Sequence, residues 1–264
     1  MYRTLTSVLF IASLSGVFSA APSISQVERG APQENGCVRC HSRLATADEL
    51  GARFLDWRAS RHAAAGVTCD KCHGGDAAAP DRAKAHAGML PPGEGTSRTS
   101  RMNAPETCGA CHHGVVSSFV ESEHYRLLKA REVSVSCTSC HGHMGSSVSR
   151  GPFECESLCT SCHNTIQGPS PRRPDIVRRA KSTLDTFART DYLISWINQL
   201  LEQAEKKKLN MVAEMEDYRL LKLTLAEAKT SWHAFSLASS SAKAAKSFDD
   251  AVAVKDRLSK KLGL

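Results

Sequence analysis

Five segments of this chain share one five-residue pattern, Cys-x-x-Cys-His. They are Cys37-Val38-Arg39-Cys40-His41, Cys69-Asp70-Lys71-Cys72-His73, Cys108-Gly109-Ala110-Cys111-His112, Cys137-Thr138-Ser139-Cys140-His141 and Cys159-Thr160-Ser161-Cys162-His163. Residues three and four apart lie on one side of a helical turn, so each segment sets two thiols and an imidazole on one face. That is the attachment signature of c-type haem. Two thiols at i and i+3 reach the two vinyl-derived carbons of one porphyrin. The imidazole at i+4 reaches its iron from the same side. Zinc ribbons and thioredoxin-like sites also use Cys-x-x-Cys, but neither needs a His after every second Cys, and thioredoxin-like chains carry one such motif rather than five. The expectation is five covalently attached haems c, with His41, His73, His112, His141 and His163 as proximal ligands.

The motifs take ten of the eleven cysteines, so no disulfide framework is needed. Cys155 is left over, as a free thiol or as an intermolecular link. At the N-terminus, Arg3, the mostly apolar run from Leu5 to Phe18 and the small residues Ser19-Ala20-Ala21 read as an export signal over residues 1–21. The competing reading is an uncleaved anchor. The run is short for a spanning helix and holds several Ser and Thr, and no other segment is long and apolar enough to span. The expected location is periplasmic or extracellular, with no membrane span after cleavage.

The net charge of +7 does not point to nucleic acid. Residues Pro22 to Pro171 balance at 15 basic and 15 acidic side chains, and the excess lies from Arg172 onward, with 18 basic against 12 acidic. Haem propionates would add negative charge, so the basic balance is a poor guide to the assembled protein.

Cys37 to His163 spans 127 residues for five haems, with first cysteines 32, 39, 29 and 22 residues apart. So few residues cannot build an apolar core around each haem. The macrocycles must supply much of the buried surface and pack close together, as electron hopping requires. Gly and Pro break the region often, as in Gly88 to Gly95, and period-2 strand patterns are scarce. The expected fold is mainly α. Residues 22–171 form a haem-packed domain of short helices and loops, and 172–264 a helical region.

Six histidines lie outside the motifs: His62, His86, His113, His124, His143 and His233. Five haems need five second ligands, so the supply favours mostly bis-His iron. His62 and His124 stand out through a degenerate repeat. Ser60-Arg61-His62 precedes Val67-Thr68-Cys69, Ser122-Glu123-His124 precedes Val135-Ser136-Cys137, and each has a Phe upstream, at 54 and 119. His86 follows the second motif by thirteen residues. His113 and His143 lie too near their own motifs to serve the same haem and would reach a neighbour. These five are the candidate distal ligands. His233, in Trp232-His233-Ala234-Phe235, reads first as a helix histidine, and Met89, Met102 and Met144 read first as packing residues.

From Pro174 the pattern becomes helical. Ile176, Ala180, Leu184, Phe187, Ile194, Ile197, Leu201 and Ala204 form one run, ending near Lys206-Lys207-Lys208. A second covers Val212, Met215, Tyr218, Leu221, Leu225, Ala228, Trp232 and Phe235, and a third about Ala242 to Leu262. The expectation is a helical hairpin plus one further helix, bracing the haem array or offering a surface for self-association.

The five motifs, the two Ser-x-His segments and the helical tail together resemble a superfamily of multihaem cytochromes. It includes hydroxylamine oxidoreductase, its tetrahaem electron-accepting cytochrome and pentahaem ammonia-forming nitrite reductase. Three departures limit what carries over. All five motifs end in His, whereas those nitrite reductases hold the catalytic haem through Cys-x-x-Cys-Lys. Hydroxylamine oxidoreductase has eight haems. The related quinol-oxidising cytochromes have a spanning N-terminal helix. What the resemblance implies is electron transfer between redox proteins outside the cytoplasm. The alternatives are reduction or oxidation of a small nitrogen or sulfur oxyanion at an iron with an open axial position, and a structural role in a conductive assembly.

Overall fold

A computed structural model describes residues 35–44, 49–142, 152–163, 170 and 172–264. The candidate export signal over 1–21, His143 and Met144 lie outside those residues. The described residues all lie in one unit, Ala31–Leu264.

The expected mainly α architecture is what is found. Among the described residues there are thirteen helices and no strand. Ten short ones come first: α1 (Gly36–His41), α2 (Glu49–Arg58), α3 (Arg61–Ala64), α4 (Cys69–His73), α5 (Arg82–Ala85), α6 (Ala104–Gly109), α7 (His113–Val120), α8 (Glu123–Lys129), α9 (Cys137–His141) and α10 (Pro152–His163). Three long ones follow: α11 (Pro174–Lys206), α12 (Val212–His233) and α13 (Leu237–Leu262).

The short helices start where a small polar side chain can take the free N–H groups of the first turn. Asn35 accepts from Cys37 and Val38 at the head of α1. Ser60 accepts from Ala63 in α3, Asp81 from Lys84 in α5, and Ser122 from Tyr125 in α8. The Ser-x-His repeat therefore has a structural meaning. The Ser is an N-cap, and it fixes the His on the first turn of a one- or two-turn helix.

Polar stitches, rather than an apolar core, join these pieces. Asn35 Nδ2 donates to Thr68 Oγ1 at 3.1 Å and to Asp70 Oδ1 at 2.9 Å, tying α1 to α4. The Gly36 N–H donates to the Ala77 carbonyl at 2.9 Å, and a Cβ at Gly36 would strike that oxygen. Ser136 Oγ donates to the Arg101 carbonyl at 2.7 Å, and Lys129 Nζ to that of Met102 at 3.0 Å. Among the described residues, buried hydrophobic side chains number 15 from Val177 onward. The described residues of the motif-bearing stretch hold six more, with Pro105 beside them, too few to close a core by themselves.

The tail builds its own core. α13 packs against both α11 and α12, burying Ser240, Ala244, Ser247, Ala251, Val254, Leu258 and Leu262 at three- and four-residue steps. Ile197, Leu200 and Ala204 of α11 and Tyr218 and Leu221 of α12 fill the same cluster. Small residues on α13 let the backbones approach. The two buried hydroxyls are satisfied across the contact, Ser240 Oγ donating to the Ala228 carbonyl at 2.9 Å and Ser247 Oγ to that of Leu221 at 3.0 Å. α11 and α12 reach each other through longer side chains, as when Tyr218 Oη donates to Asn198 Oδ1 at 2.6 Å. α12 also meets α7, and α10 meets α11 and α9, so the tail braces the motif-bearing region.

Two boundaries differ from the sequence pattern. α13 begins five residues earlier than the apolar run, because Ser240 is accommodated by a carbonyl of α12. α12 stops at His233, and Phe235, which continued the run, takes φ 55° beyond the helix end. Arg131 and Lys208 take the same left-handed position after α8 and α11. For an aromatic residue it is costly, on the order of 1 kcal/mol.

Two outcomes test this packing. Ser247→Leu, by forcing α12 and α13 apart, lowers the stability of the helical region by about 1–3 kcal/mol in urea titrations followed by circular dichroism. Glu214 is buried, and its hydrogen bond from Lys261 Nζ at 2.8 Å holds its carboxyl below the ordinary value of 4.5. Its contribution is therefore complete above that value and lost as the pH falls through the depressed one. Glu214→Gln flattens that acid limb and costs about 1 kcal/mol at pH 7, the Lys261 side chain being part-exposed.

Candidate haem-binding sites

Each Cys-x-x-Cys-His segment lies on or beside a helical turn. The first, second and fourth occupy α1, α4 and α9, and the fifth closes α10. The third begins in α6 and continues past its end, where the Cys108 carbonyl accepts from His112 N at 2.8 Å and keeps the turn wound. No disulfide joins any of the eleven cysteines.

Neighbouring motifs sense one another through their thiols. Burial, and then Cys37, pushes the Cys69 thiol up to about 11. Burial, and then Cys108, raises Cys72. Hydrogen bonding with Cys137, followed by burial, raises Cys108. Motifs one to four therefore form a chain of adjacent sites. Cys155 is buried, and its thiol is hydrogen-bonded with that of Cys159, one turn away on α10.

Histidine rings are set in pairs. The ring centres of His41 and His86 are 6.1 Å apart, as are those of His62 and His112. Those of His124 and His163 are 6.2 Å apart, and those of His141 and His233 6.3 Å. In every pair one histidine belongs to a motif and the other does not. The separation has a chemical meaning. An imidazole–metal bond is about 2.0 Å long and the ring centre lies about 1.1 Å further on, so two imidazoles on opposite sides of one metal sit roughly 6.2 Å apart. The four pairs fit an iron between them, and the adjoining thiols fit the porphyrin edge.

Burial favours the neutral ring that such ligation needs. It lowers His41, with His86 adding to the effect, and likewise His124, with His163 adding. Burial also lowers His233, against a backbone hydrogen bond, and His73, with His41 adding. His86 Nδ1 lies 2.8 Å from the Arg82 carbonyl and His233 Nδ1 2.7 Å from that of Lys229, each one helical turn back. These bonds orient both rings with Nε2 free.

The placements can be set against the sequence expectations. His62, His86 and His124 each face a motif histidine. His113 is exposed on the first turn of α7, and among the described residues no histidine ring pairs with it. None pairs with His73 either, and His143 lies outside the described residues. His233, which the sequence presents first as a helix histidine, also faces a motif histidine. It sits where α12 ends, its ring nearly parallel to that of His141 at 11°. The only sequence signal for it was its place in an apolar run so near the helix end.

The repeat extends further than the sequence displayed. His62 precedes the second motif and faces the histidine of the third; His124 precedes the fourth and faces that of the fifth. Both skip the adjacent motif.

Comparison with known proteins points the same way. Residues 18–74 match the family model described as cytochrome c554 and c-prime. The C-type polyheme cytochrome OmcC of Geobacter sulfurreducens is 30% identical over 121 residues, which is 42% of this chain and 15% of that protein. OmcB of the same organism, also a C-type polyheme cytochrome, is 29% identical over 126 residues, 44% of this chain and 15% of its own. These matches support a multihaem c-type cytochrome. The chain spans about 15% of the length of either relative, so the likeness covers a part of each rather than a whole protein. No solved structure matches the chain. Among the described residues no helix is long and apolar enough to cross a membrane.

Proposed function

We propose that this chain is an exported pentahaem cytochrome c that carries electrons between redox proteins outside the cytoplasm. The observation that carries the reading is the set of four imidazole pairs, each joining a motif histidine to a histidine from elsewhere at 6.1–6.3 Å. An iron with imidazole on both sides has no position left for a substrate, and its task reduces to changing oxidation state.

In this reading the ten motif cysteines hold five porphyrins through thioethers, and His41, His73, His112, His141 and His163 are proximal ligands. His86, His62, His233 and His124 are the second ligands of the first, third, fourth and fifth haems. The bound group supplies a one-electron couple. The chain's own part is to hold these rings in place, and the adjacency of motif thiols supports close haem packing. The export-signal pattern and the haem-attachment chemistry together support a place outside the cytoplasm, periplasmic or extracellular. Residues 22–171 are the haem domain and 172–264 its brace.

The second reading, a reductase or oxidase of a small nitrogen or sulfur oxyanion, has one place to act. His73 is the motif histidine without a paired ring among the described residues, so its iron is where a substrate would bind.

Two measurements on the oxidised holoprotein test the assignment. Its intact mass exceeds that of the mature polypeptide by five haems, and a smaller increment contradicts the count. Electron paramagnetic resonance of His233→Ala shows one low-spin ferric centre turned high-spin, whereas His113→Ala leaves the spectrum unchanged. An unaltered His233→Ala spectrum removes His233 from the ligand set. A high-spin signal already present in the parent protein favours the second reading.

A further inference from the structure

Two of the paired histidines differ from the rest in what their outer nitrogen meets. His86 and His233 each have Nδ1 within hydrogen-bond distance of a carbonyl one turn back, at 2.8 and 2.7 Å. The Nδ1 atoms of His124 and His163 are both buried, and neither has a hydrogen-bond partner among the described residues. These two rings form one pair, so both sides of the same site lack the bond.

Phe235 packs against this pair. Its ring centre lies 4.0 Å from that of His124, and Phe119 stands 6.2 Å beyond it. Phe235 holds this place in a left-handed backbone conformation that disfavours bulky side chains. The other non-glycine residues at positive φ, Arg131 and Lys208, are long polar side chains. A costly conformation kept by an aromatic ring against a ligand histidine points to a role at that histidine.

The chemical consequence concerns electron density. A ring N–H that donates to a carbonyl makes the imidazole more basic and a stronger donor, which stabilises ferric iron. A ring denied that bond donates less and leaves the ferrous state relatively favoured. Local charge acts in the same direction. The groove beside Phe235 is lined by Arg173, Arg179 and Asp175, two cations and one anion, for one net positive charge. Glu123, next to His124, is ion-paired with Arg126.

We infer that the His124–His163 pair, with Phe235 packed on His124, sets the most oxidising of the four paired sites, and that Phe235 is the residue that tunes it. Electrons entering elsewhere in the chain then collect at this end, beside α10 and the start of α11. This rests on the bis-imidazole reading proposed above.

The pair carries its own spectroscopic mark. Its rings cross at 84°, the widest angle of the four pairs, against 60° for His62 and His112, 38° for His41 and His86 and 11° for His141 and His233, and the more nearly perpendicular the planes, the more anisotropic the low-spin signal. In a potentiometric titration of the holoprotein followed by electron paramagnetic resonance, the anisotropic signal disappears first as the potential is lowered. Phe235→Asn opens the ring nitrogen to an amide oxygen or to water, and Asn tolerates the left-handed backbone, so the variant folds. Its expected effect is a negative shift of that midpoint alone, equivalent to about a fivefold change in the electron's distribution, the effect of one ordinary hydrogen bond. Phe235→Leu keeps the site apolar and leaves the order of midpoints intact. The inference is overturned if the anisotropic signal is not the first to be reduced, or if Phe235→Asn leaves its midpoint in place. Absence of any low-spin signal with crossed planes overturns the ligand pairing instead.

Discussion

The motif-bearing half of this chain has almost nothing to fold around except the groups its histidines and cysteines can hold. The few buried apolar residues among the described part of this stretch cannot close a core, and polar stitches such as Asn35 to Asp70 fix neighbours without burying much surface. What spans the longer separations is imidazole set against imidazole: 41 with 86, 62 with 112, 124 with 163, and 141 with 233. Taken as ligand pairs, these are cross-links placed where an ordinary domain would have a core, and metal binding then contributes directly to folding.

The long helices answer a different need. A haem cluster with little core of its own benefits from a rigid support, and α11 to α13 supply one through small residues at close range and satisfied buried hydroxyls. The support is also placed to take part in the chemistry. α12 ends with His233 beside His141 and Phe235 on His124, so a single helix terminus reaches the fourth and fifth sites. The regions that the sequence separates by composition are thereby joined in function.

Much of this was legible before any coordinates. The five motifs announce their chemistry through spacing alone, and the three helical runs announce themselves through period. The Ser-x-His repeat was visible as a pattern, and its physical content, a capped short helix with a histidine on its first turn, needed the structure. His233 is not singled out by the sequence, because a histidine at the end of an amphipathic helix has many ordinary explanations. Its partner lies 92 positions away, and only the packing of α12 beside the haem region selects it. His113 illustrates the converse. Adjacency to a motif placed it near the chemistry in sequence, but the first turn of α7 turns it to solvent. The early start of α13 was hidden because Ser240 and Ser247 look polar until their acceptors on α12 are seen.

The likeness to parts of two polyheme cytochromes supports the chemistry while leaving the ligand set to be tested on this chain. The most direct test is iron K-edge X-ray absorption on the oxidised holoprotein, which counts imidazole rings per iron through their multiple scattering. Five proximal and four paired histidines predict at least nine imidazoles shared among five irons, close to two for each. A count near one imidazole per iron contradicts the central claim.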